Sequence, residues 1–436
     1  MSAGAGEGGS GDPGSPSCRP AVLLINAMGT GGAERAVAAV AAALRARGRD
    51  LRVLCLERAA PGSAIELDPP AVSLSKLDSG GGAALKLAAL PFLARALADY
   101  VRRENVGTVM SHLFRANFVN VLAAGGGGSA RGGQEAHGGR EARRGASGGV
   151  AHRTILVNHT RVSRLAEEGL SGRFTAALTK RLYPRAGLLA SVSRGSAEEL
   201  ADFVGLPHER SIVLYNPVDI AAAAAAAVDA VAAVAGRSPR PAIVAVGRLV
   251  ALKRFGDLIE AFSSLAPDYP GLELHIVGEG PDRPRLQALA EGSGAAERIR
   301  FLGRLADPFP ALAGARAFVS SSEVEGFGIA IVEALAVGLP VVASDCAYGP
   351  REILDPRGGG APRLRRDEGF EAGEFGLLYP VGSVEALKAA LRRVLDDDAL
   401  AGALAAGGRA RAADFGLERA AEAYEALLFP SEESGA

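Results

Sequence analysis

Two glutamates flank a short glycine-rich segment in the second half of the chain. Glu325 and Glu333 are separated by seven residues, in the order Glu-Gly-Phe-Gly-Ile-Ala-Ile-Val-Glu. Apolar residues and three serines precede Glu325, and helix-forming residues run from Phe327 to Val337 before a glycine. The pattern predicts a strand, a small polar loop and then a helix that begins near Phe327.

The amino end of this predicted helix is suited to bind an anion such as a diphosphate. Helix N termini present unpaired backbone N–H groups and the positive end of the helix dipole. Glu325 precedes the helix and Glu333 lies two turns along it, so one phosphate group could not contact both. Carboxylates at these two heights can instead accept hydrogen bonds from the hydroxyls of a polyhydroxylated ligand. The spacing of the two glutamates, taken alone, is equally typical of two solvated residues on a surface helix.

Two cations follow the strand pattern that ends at Val246. Gly247 and Arg248 come next, and Lys253 follows five residues after Arg248. Ligands of open parallel α/β sheets bind at the carboxyl ends of the strands. Arginine contacts phosphate oxygens as a fork, and lysine acts as a point charge. The pattern indicates a phosphate site, with ordinary surface cations as the alternative.

The sequence around these residues resembles a known family. Glu325 and Glu333, together with residues 319–345, resemble the EX7E region of the family 4 branch of retaining glycosyltransferases with the GT-B fold. The resemblance implies that Arg248 and Lys253 hold the donor diphosphate and stabilise the departing nucleoside diphosphate. It also implies that Glu325 binds the donor sugar and that Glu333 binds the ribose.

The same resemblance assigns further positions to the site. Gly31 and Gly32, in the loop after the first strand, would face the diphosphate. His159, at the end of a strand, would contact the donor sugar near the reacting carbon, and it completes the expected catalytic set with Arg248, Lys253 and Glu325. For His112, which also follows a strand, a structural role is preferred over contact with the acceptor. The other expected donor-binding residues are Gly247, Gly326, Phe327, Gly328 and Ile329, and the expected nucleobase region comprises Gly278, Gly280, Arg300 and Phe301.

Short β-rich segments alternate with longer helical patterns from Ala21 onward, which predicts parallel α/β sheets. One series of strands ends near Leu214 and a second begins at Ala242. We therefore expect an α/β fold of two Rossmann-like doubly wound domains that face a central cleft, at residues 20–215 and 241–413. The remaining predicted segments are a disordered tail (1–19), a disordered insertion (125–149), a linker (216–240) with a short alanine-rich helix at Ala221–Ala227, a surface loop (355–369) and a C-terminal helix that crosses back to the first domain (414–430).

Composition excludes several other classes of protein. The net charge of −1 provides no general attraction to nucleic acid. The three cysteines are far apart, so no disulfide framework or zinc site is implied. No signal-peptide pattern or spanning apolar segment is present, and we expect a cytoplasmic protein. A basic group in the first half could rest on the inner face of the membrane or could be a solvated helix surface; it comprises Arg161, Arg164, Arg173, Lys180, Arg181 and Arg185.

The expected reaction transfers a hexosyl or N-acetylhexosaminyl group from a nucleoside-diphosphate sugar, with UDP as the preferred nucleotide, to a glycan or polyprenyl-diphosphate-linked acceptor. No cofactor is expected, and no metal, because no DxD-like cluster ends a predicted strand. Two alternatives on the same fold stay open: a sugar phosphorylase or epimerase, and a catalytically silent scaffold that binds nucleotide or glycan. An NAD-dependent oxidoreductase is disfavoured because the first glycine loop is not GxGxxG.

Overall fold

The computed structural model describes residues 19–29, 31–59, 65–78, 82–125, 152–167, 169–234, 241–358 and 362–430. The predicted disordered tail and the insertion at 125–149 lie outside these residues, apart from their last and first residue respectively. Within the described residues, buried strands alternate with helices and form two separate sheets of seven strands each.

The first sheet is built entirely from parallel strands. Its strands are β1 (Ala21–Ile25), β2 (Leu51–Cys55), β3 (Val72–Ser73), β4 (Thr108–His112), β5 (Arg153–Asn158), β6 (Leu188–Ser191) and β7 (Ser211–Val213). Their order across the sheet is β3-β2-β1-β4-β5-β6-β7. Its helices are α1 (Gly32–Ala46), α2 (Ala83–Ala88), α3 (Leu90–Arg103), α4 (Phe114–Ala123), α5 (Gly169–Leu182) and α6 (Arg194–Val204). Helix α1 buries Val37, Val40, Ala41 and Leu44, the spacing of one helical face.

The second sheet has six parallel strands and one antiparallel edge strand. Its strands are β8 (Ala242–Val246), β9 (Glu273–Val277), β10 (Ile299–Gly303), β11 (Ala317–Ser320), β12 (Val341–Ser344), β13 (Glu371–Ala372) and β14 (Leu377–Tyr379). Their order is β10-β9-β8-β11-β12-β14-β13, and β13 is antiparallel to β14. After α7 (Ile220–Val234), which precedes β8, its helices are α8 (Phe255–Leu265), α9 (Arg283–Glu291), α10 (Phe309–Ala313), α11 (Ile329–Ala336), α12 (Pro350–Leu354), α13 (Val384–Asp396) and α14 (Asp398–Ala412).

Two helices lie at the junction of the sheets. Helix α7 is the predicted alanine-rich helix, and Asp219 accepts a hydrogen bond from the Ala222 amide (2.9 Å) at its start. The last helix is α15 (Leu417–Leu428), three residues shorter at its start than predicted. Glu425 of α15 forms an ion pair with Arg47 at 2.9 Å, so the chain returns to the first sheet.

The buried core is continuous between the two sheets. One hydrophobic cluster includes residues from β1 and α1 as well as from α11 and β12. At the junction, the rings of Tyr215, Phe327 and Phe415 contact one another with centroids 5.1–5.4 Å apart. Among the described residues, no helix is long and apolar enough to cross a lipid bilayer.

Some predicted boundaries were wrong, for identifiable reasons. Helix α11 begins at Ile329 rather than Phe327, because Gly328 adopts a left-handed conformation (φ 102°) that a helix cannot include. Helix α7 is longer than the predicted segment Ala221–Ala227, because its pattern continues through less uniform residues to Val234.

Candidate active site between the two sheets

The loops that follow β8 and β9 pack closely against each other, and glycines allow this close approach. A Cβ added to Gly278 would lie 1.9 Å from the carbonyl oxygen of Gly247, and one added to Gly280 would lie 2.2 Å from that of Leu249. Side chains at these positions would collide with the neighbouring backbone. The packing of these loops therefore requires both glycines, and both lie at the carboxyl edge of the second sheet beside Gly247.

Lys253 and Glu325 meet at this edge, from the loops after the adjacent strands β8 and β11. The Lys253 ammonium forms an ion pair with Oε1 of Glu325, and Ser322 donates to the same oxygen at 2.7 Å. Oε2 of Glu325 has no partner among the described residues. Arg248 precedes Lys253 in the loop after β8. Its side chain is exposed and has no ion-pair partner in the part of the chain that the structure describes. The loop edge therefore presents one free cation, one paired cation and one available carboxylate oxygen.

The segment after Glu325 is pressed against the first sheet's loops. A Cβ on Gly326 would lie 2.1 Å from the carbonyl oxygen of His159, so only glycine allows this approach. Ser193, at the start of α6, donates a hydrogen bond to the Gly326 carbonyl at 2.8 Å. The Phe327 side chain is buried in the aromatic cluster described above, so its ring does not line the cleft. The site edge of the second domain is therefore fixed by the first.

The glycine loop after β1 reaches the same region from the other side. A Cβ on Gly32, the first residue of α1, would lie 3.0 Å from the Ile329 side chain at the start of α11. Gly31 precedes it and lies against the Glu34 carboxylate. The amino ends of α1 and α11 thus meet across the cleft, and both present partial positive charge there.

Glu333 is held by a residue of the first domain. Its carboxylate is 2% exposed and forms an ion pair with Arg35 in the first turns of α1. Burial raises the pKa of Glu333, and the Arg35 charge opposes that increase. Arg35 was not among the predicted site residues. Its position could have indicated a role, because a cation near the start of a helix opposes the helix dipole and is therefore expected to have another partner.

His159 contacts His112 rather than standing alone. Nε2 of His159 lies 2.9 Å from Nδ1 of His112, which is fully buried at the end of β4. Burial lowers the pKa of His159 to about 4. The pKa of His112 is lowered well below its usual range, mainly by burial and to a smaller extent by the neighbouring His159. Both rings are therefore uncharged at neutral pH.

The predicted nucleobase residues are only partly brought together. Arg300, near the start of β10, is directed to Glu273, the first residue of β9, at 3.5 Å. It therefore lies toward the amino ends of the strands, away from Gly278 and Gly280. Phe301 is covered by the guanidinium of Arg283, with the ring centroid 5.9 Å away.

Two buried carboxylates that had no predicted role organise the loops around the site. Glu352 accepts hydrogen bonds from the Arg194 amide (2.9 Å) and from the Tyr215 hydroxyl, which ties α12 to the start of α6. Asp345 makes a two-pronged, fully buried pair with Arg351 at 2.7 and 2.8 Å. Asp345 also accepts from the backbone amides of residues 363 and 364. These bonds fasten Arg363 and Leu364, in the loop predicted at 355–369, to the end of β12, while residues 365–369 of the same loop are exposed.

The described residues include no group of three or more His, Cys, Asp or Glu side chains that could hold a metal ion. The candidate site thus consists of cations, carboxylates, paired imidazoles and two helix N termini. Such a set can bind a diphosphate at one end and hydroxyl groups at the other.

Comparison with known proteins places this chain in a family. The family model described as Glycosyltransferase Family 4 matches residues 30–222, and the one described as Glycosyl transferases group 1 matches residues 233–411. The first match covers the first sheet apart from β1, and the second match covers the whole second sheet.

Individual relatives agree with the family matches. An N-acetylgalactosamine-N,N'-diacetylbacillosaminyl-diphospho-undecaprenol 4-alpha-N-acetylgalactosaminyltransferase of Campylobacter jejuni is 26% identical over 383 residues, which are 87% of this chain and 90% of that protein. A GDP-mannose-dependent alpha-(1-6)-phosphatidylinositol monomannoside mannosyltransferase of Mycolicibacterium smegmatis is 35% identical over 188 residues, 41% of this chain and 45% of that protein.

Solved structures show the same fold. HepE of Anabaena in complex with UDP matches with a TM-score of 0.68 at 19% identity, over 94% of this chain and 99% of HepE. Sucrose-phosphate synthase from Thermosynechococcus elongatus matches with a TM-score of 0.72 at 20% identity, over 95% of this chain and all (100%) of that one. The chain belongs to the family 4 glycosyltransferases and has their two-domain GT-B fold.

Proposed function

We propose that the protein is a retaining glycosyltransferase that moves a hexosyl or N-acetylhexosaminyl group from a nucleoside-diphosphate sugar to a glycan or lipid-linked acceptor. The observation that carries the proposal is the convergence of Lys253 and Glu325 at the carboxyl edge of the second sheet, with Arg248 exposed on the same loop. This edge is also next to the amino end of α11. Two cations beside a helix N terminus are suited to a diphosphate.

Each group has a role in the proposed reaction. As the bond between the anomeric carbon and the diphosphate oxygen breaks, Arg248 and Lys253 stabilise the charge that develops on the leaving group. The acceptor oxygen bonds to the same face of the anomeric carbon, and its proton passes to the departing diphosphate. Glu325 binds donor-sugar hydroxyls through its available oxygen. When the donor binds, Lys253 leaves its ion pair with Glu325 and pairs with the more highly charged diphosphate.

Glu333 is proposed to bind the ribose hydroxyls. In the structure its carboxylate is buried under Arg35, so the ribose would take the place of that guanidinium. His159 is proposed to contact the donor sugar as an uncharged hydrogen-bonding group, because its lowered pKa disfavours the imidazolium. The backbone of Gly31 and Gly32 is proposed to approach the diphosphate from the first domain.

UDP is proposed as the donor nucleotide because the similar HepE structures contain UDP and UDP-glucose. The Mycolicibacterium relative is named for GDP-mannose, so GDP sugars belong in any test. A polyprenyl-diphosphate-linked acceptor is proposed because the Campylobacter relative is named for a diphospho-undecaprenol substrate. We expect activity without a cofactor or added divalent ion, which an assay in EDTA checks.

A lipid-linked acceptor is consistent with one surface of the first domain. Helix α5 carries Arg173, Lys180 and Arg181 and no acidic residue, and it exposes Leu170 (85%) and Phe174 (49%). Exposed apolar side chains beside cations favour contact with an anionic membrane surface. We propose that the protein works at the cytoplasmic face of a membrane through this helix. Co-sedimentation with anionic vesicles should decrease in the double variant Leu170→Ser, Phe174→Ser; equal binding of the variant would contradict the proposal.

A donor panel tests the proposed function. Thermal unfolding is measured with UDP-, GDP- and other nucleotide sugars, since binding to the folded state raises its stability. The best donor is then incubated with a polyprenyl-diphosphate-linked glycan, and NMR determines the anomeric configuration of the product. Retention with release of the nucleoside diphosphate supports the proposal. Inversion, a requirement for inorganic phosphate, or binding without release in the presence of acceptor would contradict it.

A further inference from the structure

The two histidines behind the candidate site are connected by one hydrogen bond. His112 has no exposed surface, whereas His159 is partly exposed where β5 ends. The 2.9 Å between Nδ1 of His112 and Nε2 of His159 is a normal hydrogen-bond distance. The bond therefore joins a residue that no ligand can reach to one at the cleft.

Only one of the two facing nitrogens carries the shared proton. Both imidazoles are neutral at neutral pH, and a neutral imidazole has one N–H and one acceptor nitrogen. Either Nδ1 of His112 donates to His159, or Nε2 of His159 donates to His112. The choice also determines which group His159 presents on its other side, because its second nitrogen then takes the opposite role.

The far side of His112 decides between the two arrangements. Its Nε2 is buried and has no hydrogen-bond partner among the described residues. Its ring lies parallel to that of Tyr424 in α15, at an interplanar angle of 4° and a centroid distance of 6.1 Å. If His159 donated, His112 would carry its proton on Nε2 as an unpaired buried N–H. If His112 donates, only a lone pair is left unpaired there, and unpaired buried N–H groups are the rarer of the two.

We propose that His112 is a positioning residue, which fixes His159 in the tautomer with its proton on Nδ1. Nδ1 of His159 has no hydrogen-bond partner among the residues that the structure describes, and the His159 carbonyl touches Gly326, next to Glu325. His159 thus offers an uncharged N–H to an oxygen of the bound donor instead of a lone pair that would accept a proton. The functional part of this inference rests on the proposed glycosyl transfer, whereas the tautomer does not.

Nitrogen NMR of the full-length protein, labelled with ¹⁵N only at histidine, tests the tautomer without any ligand. The chain has six histidines, and the His112→Gln and His159→Gln variants assign the two signals. Correlations between ring protons and ring nitrogens distinguish a proton on Nδ1 from one on Nε2. We expect the proton on Nδ1 in both residues, although free neutral histidine prefers Nε2.

His112→Phe keeps a ring against Tyr424 but removes the donor. We expect His159 to lose the Nδ1 tautomer and kcat/KM for the nucleotide sugar to fall about three- to tenfold, the worth of one ordinary hydrogen bond. The affinity for the free nucleoside diphosphate should stay unchanged. Tyr424→Phe is the matched control: it removes a buried hydroxyl that has no hydrogen-bond partner among the described residues, and it should change neither the tautomer nor the kinetics.

A proton on Nε2 of His159 in the wild-type protein would overturn the inference, as would an Nδ1 tautomer that survives in His112→Phe. If the expected tautomer is found but no nucleotide sugar binds, the proposed function fails while the positioning of His159 by His112 stands.

Discussion

The ion pair between Arg35 and Glu333 allows a quantitative test of how the two domains are joined. Glu333 is 2% exposed, whereas 43% of the Arg35 side chain is accessible. Arg35→Ala leaves the carboxylate buried without its charge partner. Breaking a fully buried pair costs about 3–5 kcal/mol and an exposed pair contributes about 0–1 kcal/mol. Because one partner is half-exposed, we expect a loss of about 1–2 kcal/mol, which lowers the melting temperature by about 2–8 °C for domains of this size.

The loss should depend on pH in a defined direction. Burial raises the pKa of Glu333 above its unfolded value of 4.5. An acid with a raised folded pKa contributes stability that is fully present below the unfolded pKa and is lost as pH rises through the folded pKa. Removing Arg35 raises the folded pKa further. The difference in unfolding free energy between variant and wild type should therefore be largest above neutral pH and shrink as pH falls toward 4.5.

Scanning calorimetry or far-UV circular dichroism is the suitable assay, because the chain contains no tryptophan. Arg35→Lys keeps the charge and should lose less stability than Arg35→Ala. The double variant Glu333→Gln, Arg35→Ala also removes the unpaired buried carboxylate, so it should recover part of the stability that Arg35→Ala loses. A double-mutant cycle measures this recovery. An Arg35→Ala protein as stable as wild type at pH 8, or one whose loss of stability grows on acidification, would contradict this role of the Arg35–Glu333 pair.

The remaining predictions concern the loops at the cleft. Arg248→Gln should lower kcat about 100- to 1,000-fold without changing the melting temperature, because its exposed side chain has no ion-pair partner among the described residues; a comparable loss of stability would contradict this. Lys253→Gln should lower kcat as much and also cost up to about 1 kcal/mol of stability, since it removes the pair with Glu325. Glu325→Gln should weaken binding of the nucleotide sugar but not of the free nucleotide, as calorimetric titration would show. Gly326→Ala should abolish activity and destabilise the protein, because its Cβ would lie 2.1 Å from the carbonyl oxygen of His159. Gly402→Ala, in open space on α14, should instead increase the free energy of unfolding by about 0.5–1 kcal/mol. Equal effects of the two substitutions on stability would contradict the close packing at Gly326.

Much of the fold could be predicted because buried parallel strands are short apolar runs bounded by turn residues. The first series of strands ends at Val213, next to the predicted Leu214, and the second series begins at Ala242 as predicted. Strands β3 and β13 could not be found, because each has only two residues and neither is fully buried. No periodicity can be recognised over so short a length.

The candidate site was predictable where it depends on one sheet. Lys253 and Glu325 are 72 residues apart in sequence, but they follow adjacent parallel strands, so their loops meet at one edge. Contacts between the domains were not predictable in this way. Arg35 and Glu333 are 298 residues apart and come from different sheets, and their contact depends on how the domains pack. Arg300 shows the opposite case, since its position along β10 directs it to Glu273 rather than to the cleft.

A crystal structure with an unreactive UDP-hexose analogue would show directly which residues hold the donor. We expect the diphosphate to lie within hydrogen-bonding distance of Arg248, Lys253 and the amino end of α11. We expect the ribose to contact Glu333, with Arg35 displaced from that carboxylate. A nucleotide bound elsewhere, or one bound in the cleft with the Arg35–Glu333 pair intact and no contact to either cation, would contradict it.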